Sequence, residues 1–210
     1  KPSDLIVSDW RELFWFPYGL PLVYDVEFSQ IHLGEVRNEP LELFVVEALS
    51  TIAHRNGRLL EFSSRRDRRE AKIIMLGGPK REECHTISLC GTRPSEFSPL
   101  ADHQSSVPEF DLNWSRLKPS GSLDVVLRHP RKREPARFEE KWDASLLLLS
   151  RVKISGGGVI TVLTACNSKS YEPVVAFLTT NTGLIALRRA LGNPSKGLPP
   201  DNFQLLFRCH

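Results

Sequence analysis

Cysteine is scarce in this chain, with only Cys84, Cys90, Cys166 and Cys209 among 210 residues. The four follow no disulfide-dense spacing, which argues against a stapled secreted scaffold and for a reducing, intracellular compartment, cytoplasmic or nuclear. No C-x-x-C pair occurs, and Cys84 and His85 would fall on opposite faces of a strand, so no metal site is expected. Hydrophobic runs are short. Leu146–Leu149, which reads as one turn of a buried helix, is far from the roughly 18 residues a bilayer span needs, and no membrane partner is expected. Phosphate-cradling loops are lacking as well. Gly156-Gly157-Gly158 precedes an apolar strand pattern instead of linking a strand to a helix, and Gly77-Gly78-Pro79-Lys80 is not completed by Gly-Lys-Ser/Thr or G-x-G-x-x-G. Nucleotide hydrolysis is therefore unsupported and no cofactor is expected.

What is present is an ordinary globular balance, 40% apolar and 25% charged, in a chain long enough to bury a substantial core. With Lys1 in place of Met, a fragment or a processed product is expected. The net charge of +3 is unevenly spread. Residues 65–72 carry +3 and residues 128–137 carry +4, leaving the remainder at −4. Local basicity of this kind suits a surface that meets phosphates or an acidic partner.

Periodicity sets out the elements. Trp10, Phe14, Trp15 and Phe16 around Pro17 read as an aromatic segment lying on the core. Residues 21–28 alternate as a strand. Asn38-Glu39-Pro40 then opens a helix whose core face is Leu41, Phe44, Val45, Ala48, Leu49, Ile52 and Ala53, closed by Asn56-Gly57. Strands are expected at 58–62, 72–76, 85–90, 123–127, 159–165 and 203–207, and helices near 138–152 and 171–191. Between Thr92 and Gly121, Pro94, Pro99, Pro108 and Pro119 mark a long irregular loop, the one place for an internal boundary. The expectation is a single α/β domain over 1–210: a mostly parallel or mixed central sheet with helices on both faces and a long irregular loop in the middle.

Three groups of residues bear chemistry. Cys166 follows the apolar strand 159–165, at the strand end where α/β sheets bind ligands, and His129 follows the strand 123–127. The run Val162-Leu163-Thr164-Ala165-Cys166 resembles the nucleophile segment of caspase-like cysteine peptidases, which implies a hydrolase with His129 as base and Cys166 as nucleophile. Pro130 stands where that family has glycine, and the ordinary alternative is that Cys166 is a small buried hydrophobe. Second, Asp124 with Glu139-Glu140-Lys141 resembles the carboxylate–lysine arrangement of restriction-type nucleases, implying Mg²⁺ on Asp124 and Glu139 and a water oriented by Lys141. The ordinary alternative places Glu139 in a first helical turn. Third, Arg65, Arg66, Arg68 and Arg69, with Arg131, Lys132 and Arg133, form two basic stretches open to a phosphate backbone.

The sequence thus favours a non-catalytic binding or regulatory module of a larger protein. It would recognise an acidic or phosphate-rich partner, nucleic acid or an acidic protein surface, through these basic segments. A caspase-like hydrolase and a metal-dependent nuclease are the alternatives.

Overall fold

The computed structural model describes residues 10–26, 39–63, 85–90, 111–114, 122–128, 136–141, 145–153, 158–165, 168–192 and 199–209. The chain opens with a helical segment, α1 (10–15), and a 3-10 turn at Pro17–Gly19. Strand β1 (Leu22–Asp25) is followed by α2 (Glu39–Arg55), β2 (Leu60–Ser63) and β3 (His85–Cys90). Three strands come next: β4 (Asp111–Trp114), β5 (Ser122–Arg128) and β6 (Ala136–Lys141). Then come β7 (Ser145–Lys153), β8 (Val159–Ala165), α3 (Tyr171–Thr179), α4 (Asn181–Ala190) and β9 (Phe203–Cys209).

Six strands form one mixed sheet in the order β2-β1-β3-β8-β7-β9. Pairing is parallel from β2 through β8, while β7 runs antiparallel to both β8 and β9. Parallel neighbours need a crossover, and α2 supplies it between β1 and β2. β8 and β9 also run the same way, on either side of β7, and α3 with α4 joins them. The remaining strands make a second, antiparallel sheet, β4-β5-β6. It is inserted between β3 and β7. β3 ends, and β7 begins, at the edge where the parallel strands have their carboxyl ends, so the inserted sheet leaves and rejoins the large one there.

The α/β class with a mixed central sheet flanked by helices is as the sequence reads. Its core joins Leu22, Tyr24, Leu147, Leu149, Leu163 and Ala165 of one sheet face to the aromatic segment 10–16 and to α2, α3 and α4. Val23, Leu146, Leu148, Val152, Ile160 and Val162, at the alternate positions, are buried as well. α2 ends in a Schellman motif: Arg58 N–H donates to the Ala53 carbonyl and Gly57 N–H to that of His54, with Gly57 at φ +66°. The α3–α4 joint is tighter. Thr180 Oγ1 accepts from Gly183 N–H at 3.1 Å, and a Cβ on Gly183 would stand 1.7 Å from the Phe177 carbonyl oxygen. Only glycine fits there.

Two expectations fail. The helix near 138–152 is instead β6 and β7. Leu146–Leu149 sits in a strand buried on both faces, where apolar side chains are wanted at every position and the period that separates strand from helix is erased. Within the stretch 92–121, β4 is a strand, too short to be read without the partner β5 that completes its hydrogen bonding. The strand expected at 72–76 and the cap at Asn38 lie outside the described residues. Among the described residues no helix is long and apolar enough to cross a membrane.

The packing separates two leucines of α2. Leu49 is 1% exposed in the core and Leu43 is 69% exposed. In urea unfolding, Leu49→Ala should cost about 2–5 kcal/mol and Leu43→Ala under about 0.5 kcal/mol. Equal losses would contradict the assigned face.

Candidate functional site

Most residues the sequence singles out lie outside the described set: His129, Cys166, Arg65, Arg66, Arg68, Arg69, Arg131, Lys132 and Arg133. The chain around them is informative. Cys166 directly follows β8 of the large sheet, whereas His129 directly follows β5 of the small one, and β6 and β7 stand between them where a helix was expected. The caspase-like order of strand, histidine, helix, strand and cysteine is therefore not the order of the described elements.

Asp124, Glu139 and Lys141 lie on adjacent antiparallel strands. Asp124 is directly opposite Glu139, and Ser122 is opposite Lys141. Since directly opposed residues share a sheet face, Asp124, Glu139 and Lys141 occupy one face of the β5–β6 ribbon. The helix-start alternative for Glu139 is overturned, because β6 is a strand. The same face carries Arg128 and Arg137 at the far end of the ribbon, next to the connection 129–135 that holds Arg131, Lys132 and Arg133. Among residues whose side chains are described, no group of three or more His, Cys, Asp and Glu could hold a metal ion.

Sequence reading passed over a different cluster, at the opposite end of β7. Arg151 and Lys153 are two apart on that strand, and both reach the N-terminal aromatic segment. Arg151 is 1% exposed. Its Nη1 donates to the Phe14 carbonyl at 2.8 Å, and its guanidinium lies 4.6 Å from the Phe14 ring centroid. Burial pushes Arg151 down to about 9, against the pull of Asp201 and then Tyr18. Lys153 Nζ lies 4.4 Å from the Tyr18 ring centroid. It donates to the Tyr18 hydroxyl at 3.1 Å and to Asp201 Oδ2 at 3.2 Å, while the Tyr18 hydroxyl donates to Asp201 Oδ1. Arg58 repeats the theme, 4.7 Å from the Phe16 ring centroid and donating to the Gly19 carbonyl at 2.8 Å.

Tyr18 sits at φ +58°, ψ +20°, a left-handed backbone that costs a non-glycine residue about 1–2 kcal/mol. The contacts just described hold it there. The cluster has the membership of a reactive site but the wrong electrostatics. The hydrogen bonds that Lys153 donates to Tyr18 and then to Asp201 raise its pKa, so its ammonium stays charged, the reverse of the lowered pKa a nucleophilic or basic lysine needs. The Cys209 thiol is likewise pushed up by burial and stays protonated at neutral pH. The arrangement is a clamp. Its one sequence signal is the period-2 spacing of Phe14, Phe16 and Tyr18 against that of Arg151 and Lys153, which is legible only once β7 is known to be a strand.

Backbone strain and charge can be tested separately. Tyr18→Ala and Tyr18→Gly lose the same contacts, but only glycine relieves the backbone, so Tyr18→Gly should be about 1 kcal/mol the more stable. Equal stabilities would contradict a strained Tyr18. For Lys153, a folded pKa above 10.5 means that its stabilisation is complete below pH 10.5 and is lost as pH rises through the folded value. The stability gap between the wild type and Lys153→Met should hold steady up to that pH and close above it. A gap that widens with alkali would reverse the sign.

No family model matches the chain, and no curated protein or solved structure matches it either, so the function must be argued from the chain's own geometry.

Proposed function

We propose that this chain is a non-catalytic binding or regulatory module of a larger protein, recognising an acidic, phosphate-rich partner through its basic segments. The observation that carries the reading is the β5–β6 ribbon. Its register places Arg128 and Arg137 on one face at the end from which the connection bearing Arg131, Lys132 and Arg133 springs. Five cations and a single acid, Glu134, thus belong to residues 128–137. Arg128 is opposed by Asp111 of β4, so the like-charge repulsion is concentrated in Arg131, Lys132 and Arg133, and a ligand carrying several phosphates relieves it. Ser63, the carboxyl end of β2, lies at the end of the sheet from which the inserted sheet departs, and Arg65, Arg66, Arg68 and Arg69 follow it shortly in sequence. That edge is where α/β sheets commonly take ligands.

A second reading, a metal-dependent nuclease, is favoured by one observation. Asp124 and Glu139 are directly opposite each other, and two carboxylates at opposed positions destabilise a ribbon unless a cation neutralises them. Those residues would hold a divalent cation, with Lys141 on the same face. Both readings share a phosphate backbone as the ligand.

A salt titration of binding to generic nucleic acid, alongside the Arg131→Ala, Lys132→Ala, Arg133→Ala triple variant, tests the proposal. The log–log slope should flatten by about two to three in the variant, with thermal stability unchanged. No binding at low salt, or an unchanged slope, would refute it. Mg²⁺-dependent plasmid cleavage that disappears in Asp124→Asn would replace the module by the nuclease.

A further inference from the structure

The last strand, β9, is an edge of the six-stranded sheet. Among the described residues it pairs with β7 along one side only. Edge strands of soluble proteins are normally blunted by being short or by carrying lysine, proline or inward-facing charge, because their open hydrogen-bonding groups recruit further strands. The other edge, β2, fits that rule: it is four residues long and includes Glu61. β9 does not. It is seven residues, Phe203-Gln204-Leu205-Leu206-Phe207-Arg208-Cys209, with one charge and no proline. Phe203, Leu205, Phe207 and Cys209 pack against the core but are only half-buried, so the core runs out to this edge without a polar border. Leu206, on the other face, is 38% exposed.

We propose that β9 pairs antiparallel with β9 of a second copy of this chain, about a two-fold axis at Leu206, joining the two sheets into one. The strand's own sequence selects this occupant. With Leu206 at the centre, Leu205 meets Phe207 of the second copy, Phe203 meets Cys209, and Gln204 meets Arg208. No like charges are opposed, and apolar positions pair with apolar positions on the core face. Moving the axis one residue toward the carboxyl end would place Leu206 opposite Arg208; moving it two would place Arg208 opposite itself. The strand is thus self-complementary in the register that uses all seven residues, as a two-fold interface requires. A heterologous extended peptide would meet no such constraint. The pairing also covers the exposed remainder of Phe203, Leu205 and Phe207.

Sedimentation equilibrium of the full chain over a micromolar dilution series tests this. The wild type should fit a monomer–dimer equilibrium. Leu206→Lys and Leu206→Asp each place like charges on the axis and should weaken association at least tenfold, whereas an equimolar mixture of the two should recover it as a heterodimer. Leu59→Lys, at an exposed position preceding the other edge strand, should leave association unchanged. A second readout needs no variant: Cys209, which faces Phe203 of the second copy, should be alkylated more slowly as wild-type concentration rises. A wild type that stays monomeric with a concentration-independent alkylation rate would overturn the proposal. So would a Leu206→Lys protein as dimeric as the wild type.

Discussion

Arg151 is the charge around which the rest of the described structure has to be arranged. A guanidinium on an inner strand of the sheet, out of contact with water, carries a desolvation cost of several kcal/mol, and its partners offset only part of it, since Arg151 Nε has no hydrogen-bond acceptor among the described residues. The N-terminal segment supplies those partners. Phe14 offers both its carbonyl oxygen and its ring, and Asp201 and Tyr18 act on the charge from further away. Nothing else described in the chain takes this place. The aromatic segment is therefore a required wall of the core. Arg58 at Phe16 and Lys153 at Tyr18 extend the same contact along alternate residues, so that three cations hold the rings of Phe14, Phe16 and Tyr18. The buried indole N–H groups of Trp10 and Trp15 have no hydrogen-bond acceptor among the described residues, where stacking, apolar burial and these cations fix the segment.

That wall lies at the end of β7 where Lys153, Asp201 and Asn202 meet the 16–20 turn. The inserted β4-β5-β6 sheet joins the large sheet at the other end, beside the carboxyl ends of β3 and β8. One end of the sheet is thus closed by the clamp, and the chain leaves and rejoins the large sheet at the other, through the inserted strands that carry the Asp124–Glu139 pair. This division is why the Tyr18–Lys153–Asp201 cluster, despite its titratable membership, is assigned to stability, while recognition is proposed for the basic segments.

The strand 159–165 and the strand 85–90 were legible from sequence to the residue, because short β-rich runs bounded by glycine or by charge leave little choice. So was α2, whose apolar face repeats through four turns and whose Asn56-Gly57 stop demands a left-handed residue. Residues 138–152 were misread for a physical reason: a strand buried on both faces has no polar side to reveal its period, and acids at Glu139 and Glu140 imitate a helix start. The ribbon register that opposes Asp124 to Glu139 follows from strand pairing across residues 129–135 and was out of reach of local pattern. The clamp was hidden for a related cause. Phe14 and Arg151 are 137 residues apart, and a lone arginine after Leu146–Leu149 reads as the exposed polar end of an apolar element, not as a buried member of it.

The claim that Arg151 anchors the aromatic wall is most directly tested by a double-mutant cycle between Phe14→Leu and Arg151→Met. Phe14→Leu keeps the carbonyl that accepts the Arg151 hydrogen bond and removes only the ring, so the cycle isolates the stacked cation. Unfolding free energies of the four proteins should show a coupling of about 1–2 kcal/mol. Additivity within about 0.3 kcal/mol would mean that ring and guanidinium are neighbours without interacting, and would contradict the account.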